Sequence, residues 1–124
     1  MSNYENTDNV LPHQHGEDEE KIIKDMPSDE MARSVSGILK LLGDPSRLKI
    51  FWLLCHCEEC VINIAALTEM SSPAVSHHLR LLKSSGLIVS RREGKEMYYK
   101  AADTEMTKSL HVTIESVADI TCPG

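Results

Sequence analysis

Three of the four cysteines in this 124-residue chain fall within six residues, Cys55-His56-Cys57-Glu58-Glu59-Cys60. Thiolates are soft ligands and nucleophiles, so the spacing admits a soft-metal site, a switchable disulfide, or simply small apolar groups packed in a core. Cys55 continues the apolar run of Leu48, Ile50, Phe51, Leu53 and Leu54 and suits a core as well as a ligand set. Cys57 and Cys60 flank two glutamates, where an apolar role is hard to see. Cys60 also opens a helical pattern, and the positive end of a helix favours a thiolate. Three sulfurs suit the trigonal pyramid of As(III) or Sb(III). A fourth ligand would suit tetrahedral Zn or Cd, and Pb or Cu(I) share the preference for sulfur. Cys122, His56, and His13 or His15 near the N-terminus are candidates for that fourth position.

The elements that must hold this cluster belong to one compact domain. Apolar residues make up 41% of the chain, enough for a single, mostly aliphatic core. No apolar run reaches the roughly 18 residues of a membrane span, and the polar N-terminus lacks a secretory pattern. A cytoplasmic protein with reduced cysteines is expected, which argues against a structural disulfide. Net charge is −6, but it is unevenly spread: residues 1–30 carry nine acids against two lysines. Residues 71–100 carry Arg80, Lys83, Arg91, Arg92, Lys95 and Lys100 against Glu93 and Glu96. A basic segment on an acidic chain is compatible with nucleic acid.

Residues 1–16 lack periodicity and read as a disordered arm, 17–120 as the folded domain, and 121–124 as a loose tail. A short helix is expected over 17–26, broken by Pro27. Ser28 is placed to cap the next, which ends at Gly43. Asp44 and Pro45 open a buried helix. Two further helices, 61–69 and 73–85, are joined by a short turn, with Ser72 as N-cap and Gly86 as the stop. Two β-prone runs around Glu93-Gly94 predict a hairpin. A last helix over about 103–120 shows an apolar stripe at 106, 110, 114 and 117.

On helix 73–85, Ala74, Val75, His78, Leu79, Leu81 and Leu82 share one half. Ser76, His77, Arg80 and Lys83 share the other. Short donors near the N-terminus with cations further along suit a major-groove helix. His77 projects with the polar set, whereas His78 belongs to the apolar face as a core histidine. Arg91, Arg92 and Lys95 surround the hairpin turn, where a basic wing would meet flanking phosphates. DNA contacts are therefore expected from Ser72, Ser76, His77, Arg80, Lys83, Arg91, Arg92 and Lys95. The fold expected is mainly α with a small β-hairpin wing, a winged helix-turn-helix.

The runs LLGDPSRLKI (41–50), CVINIAAL (60–67), SSPAVSHHLRLLKSSGLIVSRREGK (71–95) and YY (98–99) resemble the ArsR/SmtB family of metal-sensing repressors. The resemblance spans roughly residues 31–120. It implies a homodimer packed through first and last helices, bound to double-stranded operator DNA until an inducer releases it. A two-fold dimer predicts an imperfect inverted repeat in that operator. It also implies inducer positions. The family's Cys-Val-Cys run is Cys60-Val61-Ile62 here, with the second cysteine absent. The last-helix site maps onto Asp103, Glu105, Ser116 and Asp119, with no histidine at those positions, a poor zinc set. The cysteine cluster is thus the expected inducer site, for As(III), Cd, Pb or Zn. A thiol redox or persulfide sensor on the same scaffold, and a dimer with a purely structural metal, are the alternatives. No triad, nucleotide loop or thioredoxin-like context supports an enzyme.

Overall fold

The computed structural model describes residues 11–13, 15–16 and 18–122. Much of the expected arm (residues 1–10 and 14) and the last two residues of the expected tail lie outside that range. The chain divides into two compact units, Met1–Leu39 and Lys40–Gly124.

The first unit holds α1 (Glu19–Asp25) and most of α2 (Asp29–Leu41). Glu19 and Glu20 in the first turn of α1 and Lys24 in its last complement the helix dipole. Met26, ahead of Pro27, turns extended and ends α1. Ser28 then caps α2, its Oγ accepting from Met31 N at 3.1 Å. Met31, Val35 and Leu39 recur every four residues along α2 and are more than half exposed.

The second unit contains α3 (Pro45–His56), β1 (Glu59–Cys60), α4 (Val61–Thr68), α5 (Ser72–Ser84), β2 (Ile88–Glu93), β3 (Glu96–Ala101) and α6 (Glu105–Thr121). Asp44 accepts from Ser46 N, and Pro45 occupies a helix-start position where no N–H is needed. Ile50, Phe51 and Leu54 of α3 close on Ile64 and Ala65 of α4, Val75, Leu79 and Leu82 of α5, and Leu87 and Ile88. Burying a side chain the size of Phe51 contributes about 3 kcal/mol. α5 starts one residue earlier than its sequence indicates. Ser71, not Ser72, is the N-cap, its Oγ accepting from Ala74 N at 3.3 Å. Both serines qualify by type, but Ser71 has the extended backbone the cap requires. Gly86 closes α5 at φ +82°, while Leu87 N donates to Leu82 O at 3.1 Å.

The expected hairpin is part of a three-stranded antiparallel sheet of order β1-β3-β2. The two-residue β1 pairs Glu59 with Tyr99 and Cys60 with Tyr98, and β2 pairs Arg91 with Tyr98. Cys60, Tyr98 and Arg91 therefore form one row across the sheet. The end of the cysteine segment is stitched to the wing by backbone hydrogen bonds. Among the described residues, no helix is long and apolar enough to cross a membrane.

Candidate nucleic-acid interface and sensing segment

α4 and α5 meet through a tight turn. Thr68 is buried and its hydroxyl donates to Ile64 O at 2.6 Å, and Glu69 then adopts a left-handed conformation (φ 56°). The core-facing residues Val75, Leu79 and Leu82 hold α5, leaving Ser72, Ser76, His77, Arg80 and Lys83 exposed together. His78 is turned inward: its Nδ1 lies 3.3 Å from Arg47 Nη1 and 3.8 Å from Asp44 Oδ2. Burial lowers its pKa, opposed by the nearby Asp44 carboxylate. Arg47 also donates to Leu41 O at 2.8 Å, so this polar group anchors the start of α3 to α5.

The three wing cations differ. Arg92 and Lys95 are exposed and carry no ion pair among the described residues. Arg91 is engaged, 2.7 Å from Glu58 and 3.0 Å from Glu93, with its guanidinium 4.9 Å from the centre of the Tyr98 ring. That hydrogen bond holds the Glu58 carboxyl below its usual range.

Among the described residues, no cysteine belongs to a converging group of three or more potential metal ligands. Cys55 is half-buried against the core, Cys60 is buried at the head of α4, and Cys122 is exposed beyond α6. Cys57 caps the end of α3, its Sγ 3.4 Å from Leu53 O. Burial, and then the Glu115 carboxylate, pushes the Cys55 thiol up to about 11. Burial and then Glu59 raise Cys57 as well. Both sulfurs lie at the C-terminal end of α3, Cys55 within its last turn and Cys57 at its C-cap. The other expected ligands are scattered too. The His13 and His15 rings stack on each other, 6.1 Å apart, in the first unit. Asp103 is paired with Lys108 at 3.3 Å, and Glu105 and Asp119 are exposed on α6.

One convergence was absent from the sequence expectations. His111 Nε2 on α6 lies 3.1 Å from His56 Nε2 on α3 and 3.2 Å from Glu115 Oε1. His56 Nε2 lies 3.7 Å from the same oxygen. Among the described residues, these three alone form a group of three or more Cys, His, Asp or Glu whose ligand atoms lie within 4.8 Å of one another. The α6 positions considered from sequence were those of the family pattern, which does not include His111 or Glu115. Their i, i+4 spacing was the available signal. Beside them, Cys55, His56, Cys57, Lys108 and His111 line a surface cleft of about 400 Å³.

Comparisons with known proteins agree with this architecture. The profile of bacterial regulatory proteins of the arsR family matches residues 44–90. A transcriptional repressor SmtB homolog of Synechocystis is 36% identical over 92 residues, covering 74% of this chain and 70% of that protein. The cadmium resistance transcriptional regulatory protein CadC of Listeria innocua is 46% identical over 67 residues, 53% of this chain and 56% of that one. Among solved structures, the homodimeric winged helix-turn-helix DNA-binding domain of Mb0332 from Mycobacterium bovis superposes with a TM-score of 0.65. It is 36% identical and covers 76% of this chain and 89% of that one.

Proposed function

The chain belongs to the ArsR/SmtB family of bacterial regulatory proteins, and on that premise we propose that it is a homodimeric, DNA-binding repressor released from its operator by a metal ion. The observation that carries the reading is the polar face of α5. Ser72, Ser76, His77, Arg80 and Lys83 are all free of the core and flanked by the exposed wing cations Arg92 and Lys95. Such a helix enters a major groove with its N-terminal half toward base edges, while the wing neutralises phosphates. The exposed apolar residues of α2, and separately Val112, Val117 and Ile120 of α6, are surfaces a second copy would cover. Two recognition helices related by a two-fold then require an inverted repeat in the operator.

The segment from Cys55 to Cys60 is where an inducer would act. It joins α3 to α4, and it touches the wing twice, through the β1–β3 pairing and through Glu58 on Arg91. A soft ion such as As(III), Cd, Pb or Zn that drew Cys57 and Cys60 together, with Cys55 or Cys122 completing the set, would shift both contacts. A coupling of about 1–3 kcal/mol suffices for release.

Fluorescence anisotropy with the full chain and DNA from its own upstream region tests this. Expected are footprinted inverted repeats, release by soft ions, and loss of that response in a Cys57→Ser, Cys60→Ser double variant. Release by peroxide with a two-hydrogen mass loss, or an operator without dyad symmetry, would contradict the reading.

A further inference from the structure

The geometry points to a second metal site, one for a borderline divalent cation such as Zn(II), Co(II) or Ni(II), built within a single protomer from His56, His111 and Glu115. It shares only His56 with the candidates considered for the cysteine segment, and none of the α6 positions Asp103, Glu105 and Asp119. It also does not depend on whether the protein binds DNA.

Two facing i, i+4 pairs create it. Trp52 and His56 lie on one face of α3, and His111 and Glu115 on one face of α6. The three candidate ligand atoms form a triangle with edges of 3.1, 3.2 and 3.7 Å. In a tetrahedral site with bonds of about 2.05 Å, ligand atoms stand ~3.3 Å apart. An ion at that distance from all three would stand ~0.6 Å off their plane, against ~0.7 Å in a regular tetrahedron. The triangle already has the dimensions of one tetrahedral face.

Proton bookkeeping supports the same conclusion. Two imidazole Nε2 atoms and a carboxylate oxygen converge, and when one Nε2 carries the proton that single N–H faces two acceptors and cannot serve both well. A cation satisfies all three lone pairs at once. Glu115 Oε1 also accepts from Trp52 Nε1 at 3.0 Å, which fixes the carboxylate while leaving a second lone pair. The His56 ring is held against Trp52, with ring centres 4.2 Å apart, and meets His111 edge-on at 4.8 Å. His56, His111 and Glu115 are 44, 29 and 49% exposed, so an ion can enter from solvent. The neighbouring cleft leaves room for a fourth ligand, water or a small anion. Two nitrogens and one oxygen select the zinc-like ions. Calcium and magnesium favour all-oxygen sets, and As(III) favours thiolates.

The test is a Co(II) titration of the full-length, reduced protein without DNA, followed by visible absorption and calorimetry. One equivalent should produce the intense bands of four-coordinate Co(II), abolished by Zn(II). His111→Gln and Glu115→Gln should each weaken binding at least tenfold, and Cys57→Ser with Cys60→Ser should leave the bands in place. Glu115→Gln retains an acceptor for Trp52, so its fold is preserved even if the His111 variant is destabilised. Failure of the wild type to bind Co(II), bands unchanged in Glu115→Gln, or four-coordinate bands lost from the Cys57→Ser, Cys60→Ser variant would each overturn the assignment.

Discussion

The Arg91 guanidinium clamps the Glu58 carboxylate, with Nη2 2.7 Å from Oε1 and Nε 3.0 Å from both oxygens. Glu58 lies in the segment that follows α3, and Arg91 lies in the wing. A residue that looks like a phosphate contact by sequence thus joins the Cys55–Cys60 segment to the wing.

Salt dependence should separate the wing cations. Each phosphate contact adds about 0.9 to the slope of log K against log salt. Arg92→Ala and Lys95→Ala should each flatten that slope by about 1. Arg91→Ala should change it less, because Glu58 and Glu93 already neutralise that charge. Anisotropy titrations at several salt concentrations measure the difference.

Stability should fall on mild acidification because of His78. Its folded pKa is depressed by burial below the ordinary value of 6.5. The unfolded chain therefore binds the proton more readily than the native one. The contribution is complete above pH 6.5 and is lost as pH falls through the lower, folded pKa. Urea unfolding between pH 5 and 8 should show this decline, and His78→Gln should reduce the slope.

Thiol labelling should be graded. Cys122 is exposed and should alkylate first in the native protein. Cys55, with its thiol pushed up to about 11, should react slowly at pH 8 and accelerate toward that value. Unfolding should erase the gap, as residue-resolved mass spectrometry would show.

Gly86→Ala should lower stability by about 1–2 kcal/mol. No atom lies within 4 Å of an added Cβ, so the loss comes from the backbone conformation (φ +82°) rather than from a clash. A chemical denaturation midpoint reports it directly.

The helices were legible because their ends are written in residue types: Ser28, Asp44 with Pro45, and Gly86 each force a local backbone choice. The polar face of α5 followed from helical spacing alone. The cap of α5 slipped by one because Ser71 and Ser72 are chemically equivalent candidates. Strand β1 was not legible, since two residues beside acids carry no period and form a strand only by pairing with β3. His111 and Glu115 were passed over for a related reason. Their spacing was visible, but the face opposite them, with Trp52 and His56, exists only once α3 and α6 are placed.

Trp52 is the chain's single tryptophan, and its indole both donates to Glu115 and packs on His56. The protein therefore contains its own optical probe. Its emission arises from one position, so any change in the charge or occupancy of that histidine–carboxylate cluster registers without a label, in the intact protein, and on the timescale of mixing.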